Sequence, residues 1–333
     1  MTIKEVAKQA GVSPAAVSRY FNGGSLTEEK KNKIRKVVEA TGFRPNPVAQ
    51  TMRTGRSGQV GVIVPTMLSD SVTGIMEGIN EALREEDAIM ILGCAEHDPD
   101  REVRLLEVMQ ENHVDGIVLM GRLMTPALSE TLDRCKIPVV VTGQNFEHVS
   151  CVYHDDFHAM KELTQRMIRS GRRQLAYVGV LEEDEMAGRA RREGMESALL
   201  EAGIDPADVP RRISEFRAFE GGEAMRELLA EYDALDGILC ATDYIALGVI
   251  RAIREKGLRV PEDIAVAGIG DSWAGRVSAP TLTTVHLHYR ECGREAARLL
   301  MAQIKAGEAS GSREGVQKLM LGYEVLVRES MPG

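Results

Sequence analysis

Aromatic residues are scarce in this chain: Trp, Tyr and Phe make up 4% of 333 residues, with a single tryptophan. Cysteine is scarce too. Cys94, Cys135, Cys151, Cys240 and Cys292 are scattered, with no Cys-x-x-Cys pair, so buried thiols in a reducing compartment are expected rather than disulfides or a zinc site. No apolar run approaches the ~20 residues of a membrane helix, and the start, Met1-Thr-Ile-Lys-Glu-Val-Ala, lacks the apolar core of a signal peptide. A cytoplasmic protein without a membrane partner is the expectation. Catalytic constellations are missing as well. There is no Gly-x-Ser-x-Gly elbow and no Walker loop. Gly268-x-Gly270 lacks the third glycine of a dinucleotide fingerprint. His154 and His158 do not form His-Glu-x-x-His, and Asp155-Asp156 has no evident base or metal partner. No catalytic residue, metal or cofactor is expected, and the chain does not read as an enzyme.

What is present is a globular composition, 44% apolar and 27% charged, long enough for two domains and an appendage at ~150 residues per domain. The net charge of −9 hides a division. Residues 1–58 hold 11 Lys and Arg against 4 Asp and Glu, a net of +7, whereas residues 59–333 carry −16. A small basic head on a large acidic body suggests that only the head meets a polyanion.

The head reads as three short helices. Thr2 and Glu5 are spaced as a capping box opening a helix through Val6, Ala7 and Ala10. Gly11 supplies the turn. Ser13 can cap a second helix starting at Pro14, with Val17 and Phe21 inward. Thr27 caps a third, with Glu28 and Glu29 in its first turn, an Ile34, Val37, Val38 stripe, and Gly42 at its end. Three helices with a tight Gly turn between the first two make a helix-turn-helix, a DNA-reading unit. Beyond it, Asn46 can cap and Pro47 can start a two-turn helix that ends before Gly55 and forms only when packed against something.

Thr2-Ile-Lys-Glu-Val-Ala, Ala10-Gly-Val-Ser-Pro, Val17-Ser-Arg and Phe43-Arg-Pro-Asn resemble the head of the LacI/GalR family of bacterial transcription repressors. The resemblance implies a DNA-facing set of Ser13, Pro14, Ala15, Ser18, Arg19, Asn22, Asn46, Ala49, Met52 and Arg53. Arg19 would bond a guanine edge, with Pro14 and Ala15 against neighbouring bases. The short helix would be a hinge that folds on a near-palindromic operator, and Met52 its minor-groove wedge. Lys30, Lys31, Lys33, Lys36 and Arg53 are phosphate candidates. Ala16 stands where Thr is usual and Gln50 where Arg is common, each a lost phosphate contact.

From Val60 the body alternates apolar runs with helical patterns. Val60–Val64, Ala88–Leu92, Gly116–Met120 and Pro138–Val141 read as buried parallel strands, with helices near 72–86, 100–113 and 125–134. After Cys151–His154 the alternation restarts, with helices 156–170, 187–202, 220–231 and 243–256 and strands 174–180, 236–240 and 264–268. Two such α/β sheets imply two lobes with a cleft at the strand carboxyl ends. By resemblance this is the family's two-lobed periplasmic-binding-protein-like α/β core behind an all-α head, and the chain crosses between lobes near 158–161, 287–290 and 319–323. The implied divisions are 1–45 for the DNA-binding domain, 46–58 for hinge and linker, 59–158 plus 290–320 for the first lobe, and 159–289 plus 321–333 for the second.

Arg191-Arg-Glu-Gly-Met is similar to the family's effector-binding segment. The tract Ala241-Thr-Asp-Tyr-Ile-Ala-Leu-Gly and Tyr289-Arg-Glu-Cys-Gly-Arg look closest to the sucrose and trehalose repressor branch, which implies a sugar or sugar-phosphate effector. Sugar hydroxyls need planar polar groups converging at strand ends. Ser69, Asp70, Arg122, Gln144 and Asp156 in the first half, and Arg191, Asp243, Asp271 and Trp273 in the second, are the candidates; polar groups at strand ends also cap the following helix. Gly270 stands where many relatives carry an acidic residue. The expectation is therefore a homodimeric repressor of a carbohydrate-utilisation operon, with helices 72–86 and 243–256 as dimer surfaces. The competing reading, a sugar-binding module or an enzyme on the same fold, leaves the basic head unexplained.

Overall fold

The computed structural model describes residues 1–21, 23–43, 56–307 and 315–331. The chain divides into two compact units, Met1–Gly58 and Gln59–Gly333.

In the first unit, α1 (Ile3–Ala10), α2 (Pro14–Phe21) and α3 (Glu28–Thr41) enclose a small core of Val6, Ala7, Ala10, Ala16, Val17, Ile34 and Phe43. The capping box is formed: the Thr2 backbone N–H donates to Glu5 Oε2 at 2.7 Å, and the Glu5 N–H to Thr2 Oγ1 at 3.3 Å. Gly11 ends α1 in the left-handed region at φ 64°, which glycine enters without a Cβ clash. Ser13 Oγ accepts from the Ala16 N–H at 3.2 Å. Thr27 sits at the start of α3 without a side-chain cap, so that helix is favoured at its N-terminus by Glu28 and Glu29 instead.

The second unit begins with β1 (Gln59–Val64), α4 (Asp70–Glu85), β2 (Ile89–Cys94), α5 (Pro99–Glu111), β3 (Gly116–Leu119), α6 (Pro126–Asp133), β4 (Val139–Thr142) and β5 (Ser150–His154). It continues through α7 (Asp156–Arg169), β6 (Leu175–Gly179), α8 (Arg191–Glu201), β7 (Arg211–Ile213), α9 (Ala218–Glu231), β8 (Gly237–Cys240) and α10 (Asp243–Glu255). It closes with β9 (Ala265–Ile269), α11 (Trp273–Val277), β10 (Thr283–Leu287), α12 (Tyr289–Ala306), β11 (Lys318–Leu321) and β12 (Tyr323–Leu326).

These strands build two six-stranded sheets, ordered β11-β5-β4-β3-β1-β2 and β12-β10-β9-β8-β6-β7. Every pair is parallel except β10 with β12. The inner strands are buried without a break, as parallel strands covered by helices on both faces must be. The chain moves between lobes at Asp155, His288 and Gly322. Because Asp155 caps α7, and Ala159, Met160 and Leu163 already lie in the second core, the first crossing falls ahead of the expected 158–161. The strand Arg211–Ile213 was not expected; it is a short edge strand with no apolar run. A π-helical stretch, Glu185–Ala190, precedes α8 where continuous helix was expected.

The helices expected as dimer surfaces spend their apolar faces inside the chain. α4 packs on α12 so closely that a Cβ at Gly78 would overlap the Arg290 carbonyl oxygen, and one at Gly293 that of Ile75. α10 packs on α9 through Gly248, which abuts the Ala218 carbonyl. Exposed apolar side chains occur elsewhere, at Ile89, Ile91 and Leu92 on the edge strand β2 and at Phe219 and Val277. Among the described residues no helix is long and apolar enough to cross a membrane.

Candidate functional site

In the first unit, α2 turns Ala16 and Val17 into the core and leaves Pro14, Ala15 and Arg19 exposed and Ser18 half-buried. At 3.6 residues per turn, positions 14, 15, 18 and 19 fall within an arc of about 140°. Ser13 is exposed just ahead of them. Arg19 Nε reaches the Ala15 carbonyl at 3.4 Å, which holds the guanidinium along this face. Ala16 is 2% exposed, so the Thr-to-Ala departure falls on a packing position and not on the open face where a phosphate contact would lie. Lys31 and Lys33 pair within α3 with Glu28 (2.9 Å) and Glu29 (2.7 Å), while Lys30 and Lys36 are exposed. Asn22, Asn46, Ala49, Met52 and Arg53, with Gln50 and the expected hinge helix, lie outside the described residues.

In the second unit the cleft candidates separate into three groups. The first is a buried hub. Asp156, in the first turn of α7, accepts from Arg191, the first residue of α8, at 2.7 Å (Nε) and 2.6 Å (Nη2). Nη1 of Arg191 donates to the Ala241 carbonyl. Both charges are more than nine-tenths buried. Burial alone would lower the Arg191 guanidinium, but the Asp156 carboxylate holds it above its ordinary value. Tyr289, half-buried beside Arg191, has its phenol pushed well up by burial. Its ring meets His154 edge-on, centroids 5.4 Å apart. Burial pushes His154 down to about 4, so the imidazole is neutral, and its Nε2 has no hydrogen-bond partner among the described residues. Across the cleft, Gln144 Nε2 donates to Asp184 Oδ1 at 2.9 Å, and Gln144 Oε1 is likewise buried without a partner. Burial raises the Asp184 carboxyl.

The second group surrounds a cavity of about 600 Å³ between the lobes. Asp70 spans it, accepting from the Trp273 N–H at 2.9 Å and the Tyr244 hydroxyl at 3.5 Å. Asp271, at φ 49°, takes Arg276 (3.0 and 2.6 Å), Arg328 (2.5 Å) and His286 Nδ1 (2.9 Å). Burial works upward on this carboxyl, yet Arg276 and Arg328 hold it below its ordinary value. Trp273 stands 71% exposed at the rim, and Tyr289 lines the cavity wall, so the hub and the cavity share that residue. The third group is Arg122, 6.0 Å above the Phe216 ring of the opposite lobe. Near it burial pushes the Glu102 carboxyl up to about 7, with Arg122 pulling the other way.

Two candidates face other work. Asp243 is 1% exposed and spends both oxygens inside the second lobe, Oδ2 on the Ser272 N–H at 2.6 Å and Oδ1 on the Thr284 hydroxyl at 2.5 Å. Burial raises its carboxyl. It ties β9 and β10 to α10 and offers no free oxygen to a ligand. Ser69 exchanges a hydrogen bond with the Ser71 hydroxyl at 2.7 Å and does not cap α4. Sequence reasoning missed Tyr289, Asp184 and Glu102, and it weighed His154 only against a metal pair with His158. His158 instead bonds Asp155 at 2.9 Å at the surface.

Comparison with known proteins places both units. A family model described as bacterial regulatory proteins, lacI family, matches residues 2–46, and one for a periplasmic binding protein-like domain matches residues 164–331. The HTH-type transcriptional regulator CelR of Thermobifida fusca is 31% identical over 99% of this chain and 98% of its own. A solved CelR–cellobiose complex is 30% identical, with a TM-score of 0.75 and 99% of both chains covered. The lac repressor dimer bound to operator and the anti-inducer ONPF shares the fold at a TM-score of 0.89 and 21% identity, over 100% of this chain and 99% of its own.

Proposed function

The chain belongs to the LacI family of bacterial regulatory proteins, and from that premise we propose that it is a cytoplasmic repressor of a carbohydrate-utilisation operon. It binds near-palindromic operator DNA as a homodimer and answers to a sugar or sugar phosphate held between its lobes. The observation that carries this reading is the pairing of two features in one chain: the open α2 face with Arg19, and a two-lobed core that holds the buried Asp156–Arg191 pair and the Gln144–Asp184 link between its lobes. The CelR relative, solved with cellobiose, supports a sugar at the hub, and the lac repressor dimer on its operator supports the DNA partner.

Three links join the lobes or line their junction: Gln144 with Asp184, Asp70 with Trp273, and Arg122 with Phe216. A ligand entering at the hub changes these links, shifts one lobe against the other and so alters the spacing of the paired DNA-reading heads. The exposed apolar edge of β2 with Phe219 and Val277 is the surface assigned to the second copy. The test is a gel shift of the purified protein on palindromic and random duplexes, with and without cellobiose, sucrose, trehalose and their phosphates. A change in binding of the palindromic duplex with one of the sugars is expected; equal binding of both duplexes would overturn the regulatory reading.

A further inference from the structure

Arg19 stands in the last turn of α2, and the way that helix ends bears on how its side chain is aimed. The Gly24 N–H donates to the Arg19 carbonyl at 2.9 Å, and Gly23 just before it takes the left-handed conformation at φ 70°. This is a Schellman end, which folds the residue after the left-handed glycine back against the residue that accepts the bond. An apolar side chain frequently fills that place and packs on the acceptor's side chain.

Here the place is held by Gly24, whose φ lies outside the left-handed region. The turn therefore requires glycine at 23 and not at 24. What lies against Gly24 is the stem of Arg19. A Cβ at position 24 would come within 3.0 Å of Arg19 Cγ, 3.2 Å of its Cβ and 3.5 Å of its Cα. Non-bonded carbons rest about 3.5–4.0 Å apart, so the stem would have to give by about half an ångström. The helix fixes Cα and Cβ, which leaves rotation about the bond between them. That rotation swings the distal guanidinium further than the stem. Arg19 Nε already holds the Ala15 carbonyl at 3.4 Å, near the limit for a hydrogen bond, and has no slack to follow.

We propose that Gly24 is a positioning residue for sequence reading: with no side chain at the helix end, Arg19 lies back along α2 and presents its guanidinium on the open face beside Pro14, Ala15 and Ser18. The proposal rests on Arg19 being the residue that reads a base edge. A paired contact to a base tolerates little misplacement, because both hydrogen bonds must be in line at once. Gly24 acts through Arg19 and makes no base contact of its own.

The experiment is a double-mutant cycle on the full chain: wild type, Arg19→Ala, Gly24→Ala and the double variant. The probes are a palindromic duplex selected by the wild-type protein from a randomised pool, its single-base variants, and a random duplex of equal length. Gly24→Ala should bind the selected duplex about fivefold or more weaker and relax preference at the base position that Arg19→Ala relaxes. Its affinity for the random duplex and its melting temperature should not change. In the Arg19→Ala background the same substitution should alter neither affinity. The ratio of selected to random affinity is the readout, since any unfolded fraction lowers both alike. Wild-type base preference in Gly24→Ala overturns the proposal and leaves Arg19 as the base reader. Equal loss on both duplexes, or a loss of the same size in the Arg19→Ala background, also overturns it, because position 24 would then act through the backbone or a phosphate. If Arg19→Ala itself leaves every base preference intact, base reading by Arg19 fails, and the positioning role fails with it.

Discussion

The Arg191–Asp156 pair allows a sharp test because its two halves differ in how they escape an unpaired state. Replacing Asp156 with Asn strands a guanidinium that cannot shed its proton in protein surroundings, and a buried charge left alone costs about 3–5 kcal/mol. At about 2.1 cal/mol/K per residue over residues 59–333, the unfolding entropy is near 0.6 kcal/mol/K, so the melting temperature should fall by about 5–9 °C. Replacing Arg191 with Met strands a carboxylate instead, and a carboxylate can take up a proton and become neutral. In that variant the folded state binds one proton more than the unfolded chain, whose Asp titrates near 3.9. Stability therefore rises as pH falls, by about 1.4 kcal/mol per unit. Between pH 7.5 and 5.5 the deficit of Arg191→Met against wild type should shrink, by at most about 2.7 kcal/mol or roughly 5 °C, while that of Asp156→Asn stays constant. Calorimetric scans of the three proteins at both pH values measure this directly. Three parallel pH profiles would refute the claim that the pair is desolvated and that its charges depend on each other.

Arg19→Ala should weaken operator binding by about 1–3 kcal/mol and relax preference at one base position per half-site, read by gel shifts on single-base operator variants; a uniform loss across all variants would make Arg19 a phosphate contact. Glu102→Gln should stabilise the protein by about 3 kcal/mol at pH 8 and not at all below pH 4.5. Burial raises this carboxyl from 4.5 to about 7, so the charged form strains the fold above pH 7 and the strain disappears as the group protonates. Thermal melts at pH 8 and 4.5 check it, and no gain at pH 8 would mean that Glu102 has a partner. Gly78→Ala would add about 1 kcal/mol if helix propensity alone mattered. The overlap with the Arg290 carbonyl predicts a loss of about 1–3 kcal/mol instead, so the sign of the change in a urea midpoint decides.

The head was legible because its signals are local. A Thr-x-x-Glu box, a Gly at a positive-φ turn and a Ser-Pro start each specify geometry within four residues, and the structure forms all three. The two α/β lobes were legible from unbroken apolar runs such as Val139-Val-Val. The strand Arg211–Ile213 was not, because its place comes from pairing with β6 and not from its own side chains. The cleft was the hardest to read. Asp156 and Arg191 do pair, and Gln144 reaches the opposite lobe at Asp184. Asp243 carries the same strand-end signature, yet the backbone N–H of Ser272, 29 positions away, takes its carboxylate. Which polar group at a strand end faces a ligand depends on such distant partners. Tyr289 shows the reverse case: a residue on the crossing segment, read from sequence only as part of a family-like tract and not as a site, lines the cavity wall beside Arg191.

The crossings at Asp155, His288 and Gly322 also set an order of events at the ribosome. Residues 1–43 bury their own core and can fold as soon as they emerge. The first lobe cannot. Its strands β1 to β5 are made by residue 154, but the helix that covers Ile75 and Ile79 of α4 brings Cys292, Ala296 and Leu300 from far downstream, and β11 closes the sheet later still. At about 5–20 residues per second the nascent lobe waits roughly 8–30 s with that apolar face bare while the second lobe is synthesised. A chain that stalls or is cut before residue 289 would present a DNA-reading head attached to a sticky half-lobe, a natural client for chaperones and proteases.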